Sequence, residues 1–103
     1  MLKVISLLKK KEDISFEEFR KWALEDHPHL GKKLPGIRHY RMSVLLQENP
    51  ELPYEAVSEF WFDDNEARLA AFSTQEGKAA AEDAAAHCSA RVHLLTEEKI
   101  IIE

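Results

Sequence analysis

Hydrophobic residues in this 103-residue chain recur with two different periods, and the order of those periods limits the fold more than any other feature. Four segments are short and apolar or alternate between apolar and polar side chains, as β-strands do: residues 1–8, 37–46, 54–62 and 91–95. Two longer segments carry apolar side chains at helical spacing behind capping residues. The first covers residues 15–33, and the second begins at Asp63 or Asp64, restarts at residues 73–77 and reaches about Ala86. The predicted order is strand, helix, strand, strand, helix, strand.

That order is the split βαβ arrangement of the ferredoxin-like α+β fold, βαββαβ, with two helices on one face of an antiparallel four-stranded sheet. The length predicts a single domain over residues 1–103. Lys99–Ile102 is apolar enough to predict a fifth strand. The strand side chains expected to face the helices are almost all apolar: Leu2, Val4, Leu8, Met42, Val44, Phe60, Phe62, Val92 and Leu94.

The first helix has clear start and stop signals. Ser15 with Glu18 three residues later forms a capping-box pattern, and Leu34-Pro35-Gly36 ends the helix. Pro28 lies inside this helix, where it removes a backbone donor and clashes with the preceding turn. We therefore expect a break or kink around Asp26–His29.

His27 continues the apolar stripe of this helix, so its imidazole is expected to face the interior. A buried imidazole is either a satisfied structural group or the polar element of a pocket. Three polar side chains occur among the strand residues expected to face the helices: Ser6, Tyr40 and Ser58. The two serines are expected on neighbouring strands. Serines in strands often only make local hydrogen bonds, but together with His27 they predict an apolar cavity with convergent polar groups. His29 is a further candidate for contact with a ligand.

Composition excludes several classes of function. The net charge of −5 does not suit a nucleic-acid-binding protein, and no apolar run reaches the length of a membrane span. The three isolated glycines form no phosphate-binding loop, so no nucleotide cofactor is expected. Cys88 is the single cysteine, which suits a reducing, cytoplasmic setting.

A metal site is also not expected. His27 and His29 have no companion ligands at the spacing of known zinc sites. The disfavoured alternative is an iron site, which would need His39, His93 and Glu59 on one face of the sheet. Any chemistry is therefore predicted to be cofactor-free proton transfer.

The strand side chains expected to face away from the helices mix apolar and charged groups. The apolar members are Ile5, Leu7, Ile37, Val57, Trp61 and Leu95, and the polar ones include Lys3, His39, Arg41, Glu59 and His93. In a monomer they would form an exposed apolar patch, whereas pairing of this open sheet face with a second copy would cover it. The sequence therefore predicts a homodimer.

Two long segments resemble the EthD-like members of the dimeric α/β-barrel superfamily. The first is FRKWALEDHPHLGKKLPGIRHY, residues 19–40, with an aromatic-rich helix, a histidine and a Leu-Pro-Gly that leads into a strand. The second is EFWFDDNEARLAAFSTQEGKAAAED, residues 59–83, which ends in an acidic residue. The resemblance implies a dimer of ferredoxin-like subunits, each with a pocket for a small, largely apolar organic molecule. By matching position it also implies that His27 is an acid/base and that Asp83 orients a polar group or balances its charge.

Two functions follow as hypotheses. The first is a cofactor-independent enzyme of the isomerase, dehydratase or oxygenase type, in which His27 transfers a proton and Ser6, Tyr40 and Ser58 position the substrate. The second is a non-catalytic small-molecule-binding or accessory protein of a degradation or stress-response pathway. Both need a small hydrophobic ligand, and neither needs nucleic acid or a membrane.

Overall fold

The computed structural model describes all 103 residues and places four antiparallel strands in the order β2-β3-β1-β4. The strands are β1 (Leu2–Lys10), β2 (His39–Val44), β3 (Ala56–Phe62) and β4 (Cys88–Glu97). The helical elements are α1 (Phe16–Lys21), a π-helical segment (Trp22–Asp26), α2 (Pro28–Gly31), α3 (Asn65–Phe72) and α4 (Gln75–His87). The ferredoxin-like fold predicted from the order of elements is confirmed. None of the helices has the length and hydrophobicity that crossing a bilayer requires.

Local sequence explains where the helices begin. The Ser15 hydroxyl accepts the backbone N–H of Glu18 at 3.1 Å, which confirms the predicted cap of α1. Asp64 Oδ1 accepts the N–H of Ala67 at 2.8 Å at the start of α3. Side-chain oxygens at these positions satisfy N–H groups that the first turn leaves without partners.

The first helix does not run as one α-helix to Lys33. A π-helical segment replaces its middle, where the N–H of His27 donates to the Trp22 carbonyl five residues back at 2.8 Å. Pro28 follows as the first residue of α2, where its missing N–H costs little. The predicted break near Asp26–His29 is confirmed, and its form is a widened turn.

The register of the sheet creates straight rows of side chains on the face beneath the helices. Met42 pairs with Ser58, Ser58 with Ser6, and Ser6 with His93, so one row crosses all four strands. Cross-strand partners project from the same face of a sheet. Because neighbouring strands lie about 4.8 Å apart, this row is about 14 Å long between the β2 and β4 backbones.

The predicted orientation of β4 is wrong. His93 pairs with Ser6 and Leu95 with Val4, so both face the helices, whereas Val92 pairs with Leu7 on the open face. Leu94 likewise faces the open side, opposite Ile5. Apolar residues occur on both faces of this sheet, so alternation alone does not say which side of an edge strand turns inward.

The predicted fifth strand is also absent. β4 pairs only with β1, and the ladder ends where Glu97 meets Leu2. Residues 98–103 run past the end of β1 and have no strand beside them, and Ile100, Ile101 and Ile102 are exposed. High β-propensity does not form a strand without a partner for the backbone.

Two hydrophobic clusters lie between the sheet and the helices. One centres on Phe19, Trp22 and Leu8, and the other on Phe62, Val4 and Leu34. Burying a side chain such as that of Phe19, which has no exposed surface, stabilises the fold by about 2 kcal/mol. Members of both clusters line the cavity that lies between them.

Candidate active site

A cavity of about 270 Å³ lies between the sheet and the helices. Most of its lining is hydrophobic, with Val4, Leu8, Leu34 and Phe60 among the walls. Small-molecule sites typically measure about 300–1,000 Å³, and an apolar cavity of about 150 Å³ already holds benzene. The space therefore suits a compact organic molecule of one or two rings.

His27 lines this cavity, as predicted, and its ring is hydrogen-bonded to the Asp83 carboxylate. His27 Nδ1 lies 2.8 Å from Asp83 Oδ2, and the two side chains are only 12% and 24% exposed. Because an ionised carboxylate only accepts hydrogen bonds, Nδ1 carries the proton and donates it. Nε2 is then the ring nitrogen available to a molecule in the cavity.

Asp83 is itself held in place by Trp22. The indole Nε1–H donates to the same Asp83 Oδ2 at 2.9 Å, so one oxygen accepts two hydrogen bonds. The indole ring lies between two imidazoles, with centroids 4.8 Å from His27 and 4.4 Å from His87. His87 Nδ1 donates to the backbone carbonyl oxygen of Asp83 at 2.8 Å, which fixes the His87 ring at the C-terminal end of α4. The carboxylate and the imidazole therefore have little freedom to move.

The π-helical segment explains how Trp22 and His27 reach the same carboxylate. In a regular α-helix, residues five apart are rotated by about 140° around the axis and face different ways. The wider turn brings position 27 back beneath position 22, so both side chains bind Asp83 Oδ2. π-helical turns occur frequently at functional sites.

Tyr40 lines the cavity from β2 and packs against α2 at Gly31. A Cβ atom at Gly31 would lie 2.7 Å from the Tyr40 ring, so only glycine permits this approach. Burial, with the nearby Asp83 carboxylate, raises the pKa of Tyr40 to about 12. The phenol therefore stays protonated at neutral pH and is able to donate a hydrogen bond.

Ser6 and Ser58 are direct cross-strand partners and both line the floor of the cavity. They are only 2% and 6% exposed. The Ser6 hydroxyl is hydrogen-bonded to His93 Nδ1 at 2.7 Å. The expected proximity of the two serines beneath the first helix is present in the structure.

His29 does not join the site. It is exposed and is absent from the lining of the cavity. Two residues along a helix correspond to a rotation of about 200°, which turns the His29 side chain away from the face that His27 uses. The prediction that His29 contacts a ligand in this cavity is therefore wrong.

Three basic side chains that were not predicted to lie in the cavity line it on the β4 side: Arg68, Arg91 and His93. Partial burial lowers the pKa of His93, and the positive charges of Arg91 and Arg68 lower it further. Both guanidinium charges therefore act on the same ring. The reversed orientation of β4 explains the omission, because the predicted phase placed His93 on the open face.

No group of three histidine, cysteine, aspartate or glutamate side chains is arranged to hold a metal ion. The disfavoured iron site also fails on geometry. His39 and Glu59 lie on the open face, opposite Trp61 and Ile5, whereas His93 lies on the helix-facing side with Ser6. These three side chains do not share one face of the sheet.

The fold is that of a ferredoxin-like protein, with a largely apolar cavity between the sheet and the helices. Residues 11–88 match the model of the EthD domain, and the chain belongs to the EthD family. The resemblance predicted from residues 19–40 and 59–83 is therefore confirmed. A search of curated proteins finds no match.

Solved structures share the fold of this chain. An ethyl tert-butyl ether D (EthD) family protein from Bacillus halodurans is 28% identical, with a TM-score of 0.80 over 96% of this chain and 99% of that chain. A dimeric ferredoxin-like protein of unknown function from Thermobifida fusca is 15% identical, with a TM-score of 0.75 over 92% and 88% of the two chains. A hydroxynitrile lyase from Passiflora edulis is also 15% identical, with a TM-score of 0.76 over 99% and 96%.

Proposed function

We propose that this protein is a cofactor-independent enzyme that transfers a proton on a small, largely apolar molecule, with His27 as the acid/base. The observation that carries the proposal is the bond of 2.8 Å between His27 Nδ1 and Asp83 Oδ2 at the wall of an apolar cavity. A carboxylate in this position fixes the tautomer and stabilises the imidazolium that forms during proton transfer. Abstraction of a proton by a general base is a first step that isomerisations, dehydrations and cofactor-free oxygenations can share.

The geometry of the cavity supports the following proton-transfer step. Nε2 of neutral His27 uses its lone pair to take a proton from an acidic C–H or O–H bond, and that bond's electrons remain on the substrate as an enolate or alkoxide. Asp83 balances the charge of the resulting imidazolium. The phenol of Tyr40 and the hydroxyl of Ser58 line the same cavity and can donate hydrogen bonds to the developing negative oxygen. Return of the proton to another atom completes an isomerisation.

The apolar walls would strengthen these electrostatic interactions by excluding water. The fold is also compatible with catalysis on small molecules, since the Passiflora edulis hydroxynitrile lyase shares it. That likeness concerns the fold alone.

Proton abstraction can be tested without knowledge of the natural substrate. The wild-type protein is mixed with 2-tetralone and 1-indanone in D₂O, and deuterium incorporation at the acidic carbon is followed by proton NMR. We expect exchange above the rate without protein. In the variant His27→Gln, the exchange rate above that background should be lower by at least roughly 100-fold, the usual scale for loss of a general acid/base.

His29→Gln is the matched control, because His29 is an exposed histidine close in sequence that does not line the cavity. This variant should catalyse deuterium exchange into the ketones at the wild-type rate. Equal loss in both histidine variants, or unchanged exchange in His27→Gln, would refute the assignment of His27.

The second candidate function is a non-catalytic binding or accessory protein, and the predominantly hydrophobic lining of the cavity favours it. A carrier needs the apolar walls but has no use for a carboxylate that orients the histidine. Native mass spectrometry of the purified protein would identify any ligand that it retains. Thermal stabilisation by ketones that undergo no exchange would support the binding role over catalysis.

We also propose that the protein acts as a homodimer through the open face of its sheet. Register places Ile5 beside Leu94 and Leu7 between Val57 and Val92, which forms a continuous apolar patch. A two-fold axis would let this patch cover itself. Light scattering at micromolar concentration should give twice the chain mass for wild type, and Leu94→Glu should give a monomer. A wild-type monomer would refute the dimer.

A reducing compartment such as the cytoplasm is our proposal for its location. Cys88 is buried, and burial raises the pKa of its thiol to about 11. Such a thiol reacts slowly and needs no disulfide partner. Fractionation of cells that express the tagged protein would test this location.

A further inference from the structure

We infer that the β4 end of the cavity, defined here by Arg68, Arg91 and His93, binds an anionic oxygen group of the ligand. The ligand of this protein would then be a compact apolar molecule that carries a carboxylate or a phosphate. The inference rests on the proposed function only in that it describes the ligand of the same cavity.

The first observation is that two guanidinium groups line one cavity without a carboxylate partner. Arg68 Nε donates to Asn65 Oδ1 at 2.8 Å, and Arg91 Nη1 donates to the Ala81 carbonyl at 3.4 Å. Both partners are neutral, and the protein's ion pairs include neither arginine. The chain has 19 acidic residues against 14 lysines and arginines, so carboxylates are not scarce.

Convergence distinguishes this pair from the other arginines. Arg38 forms a two-bond ion pair with Asp63, and Arg41 lies over the Trp61 ring on the open face. Only Arg68 and Arg91, on α3 and β4, line the cavity. Two positive charges that approach one cavity repel each other, and an anion between them would remove that repulsion.

The second observation is the polar floor beneath these arginines. Ser6 is 2% exposed, and its hydroxyl is hydrogen-bonded to His93 Nδ1 at 2.7 Å. His93 therefore has its second ring nitrogen, Nε2, free for another partner. Guanidinium forks match the planar geometry of a carboxylate and also bind phosphate oxygens, so the arginines with His93 offer several donors to one anionic group.

The third observation is the layout of the cavity. Tyr40 projects from β2, which lies at one edge of the sheet, whereas Arg91 and His93 project from β4 at the other edge. The π-helical segment that precedes His27 packs against β2. A ligand of one or two rings could thus place its anionic group at β4 and its reacting carbon towards His27.

Matched probes test this inference by binding alone, without turnover. The probes are 1-naphthoate, 1-naphthyl phosphate and the neutral 1-naphthamide, measured by isothermal titration calorimetry at neutral pH. We expect wild type to bind at least one anion roughly tenfold more tightly than the amide, as charge-assisted hydrogen bonds imply. The preferred anion identifies carboxylate or phosphate as the group.

Single variants then assign the anion to the arginines. Arg68→Gln and Arg91→Gln should each weaken anion binding by roughly tenfold and leave the affinity for the amide within about twofold. Arg38→Gln is the control, since it removes the same charge outside the cavity. It should bind all three probes like wild type.

Three results would overturn the inference: no binding of either anion at millimolar concentration, equal affinity for anions and amide, or equal losses in Arg38→Gln and the cavity variants. The same titrations with His27→Gln separate this inference from the proposed catalysis. Retained anion preference in that variant, with no proton exchange by wild type, would leave the anion site standing and reject the enzyme. Proton exchange by wild type without any preference for the anions would support the enzyme and reject the anion site.

Discussion

The two ends of the cavity differ in how completely their polar groups are partnered. At the His27 end, Asp83 Oδ2 accepts two hydrogen bonds, and both His27 and Trp22 are mostly buried. At the β4 end, Arg91 is exposed, and the guanidinium groups of Arg68 and Arg91 meet only neutral oxygens. An end with fixed geometry suits a chemical step, whereas an open end with unpaired charge suits recognition. Substitutions at the His27 end should therefore change the rate of deuterium exchange, whereas substitutions at the β4 end should change the affinity for anions.

The largest effect is expected from Asp83→Asn. An amide can donate to Nδ1, which would favour the tautomer with its proton on Nε2 and remove the base from the cavity side. Deuterium exchange into 2-tetralone should fall by roughly 100-fold or more, while 1-naphthoate affinity stays within about twofold. Parallel loss of exchange and affinity would show that the two ends are not independent.

Gly31→Ala should give the next largest effect. Alanine normally stabilises a helix relative to glycine by about 0.5–1 kcal/mol, but its Cβ would overlap the Tyr40 ring here. We expect the free energy of unfolding to fall by about 1–3 kcal/mol, as in other overpacked sites. Urea denaturation measures this change.

Gly31→Ala combined with Tyr40→Leu is the matched control, since the smaller side chain should relieve the overlap. If the double variant is no more stable than Gly31→Ala, the close approach of Tyr40 to Gly31 does not explain the glycine.

Trp22→Phe should have a smaller effect at the His27 end. Phenylalanine keeps an aromatic ring between His27 and His87 but lacks the N–H that holds Asp83. Loss of one such hydrogen bond corresponds to about 1 kcal/mol, or roughly fivefold in exchange rate. Phe19→Leu, in the same core cluster, controls for altered packing. Equal changes in both variants would argue against a specific role of the indole N–H.

The smallest effect is a pH dependence at the β4 end. Burial and the neighbouring arginines lower the pKa of His93 below its usual value near 6.5. A bound anion favours the imidazolium and raises that pKa, so binding takes up a proton. Affinity for 1-naphthoate should therefore rise as pH falls through and below about 6.5, by a few-fold. His93→Gln should flatten this dependence, and an unchanged slope in that variant would assign it to other groups.

Much of the fold could be predicted from periodicity, because strands and helices differ in the spacing of their apolar residues. The order of elements, the cap at Ser15 and the break beside Pro28 all followed from local signals, whereas the choice between Asp63 and Asp64 as the cap of α3 did not. The orientation of β4 did not, since Val92 and Leu94 complete an apolar patch on the open face and imitate a core pattern. Pattern alone cannot choose between two faces that are both partly apolar.

The candidate site was predictable to a similar extent. His27 and the two serines were found because polar side chains interrupted an apolar face. The contact between Asp83 and Trp22 was not foreseen, because it depends on where α4 packs against the first helix. Arg68 and Arg91 carried no local signal, since arginines on helices and edge strands usually face solvent. Their convergence on one cavity is visible only in three dimensions.

The widened turn between Trp22 and His27 constrains the number of residues between them. Adding or deleting one residue between these two positions would rotate one side chain away from Asp83, even if the helix itself survived. The two side chains can therefore bind the same carboxylate only when they are five residues apart, and this spacing is visible in an amino-acid sequence. A chain of this fold with a tryptophan and a histidine at this interval, and an aspartate at the matching position of α4, should therefore hold its imidazole in the same way.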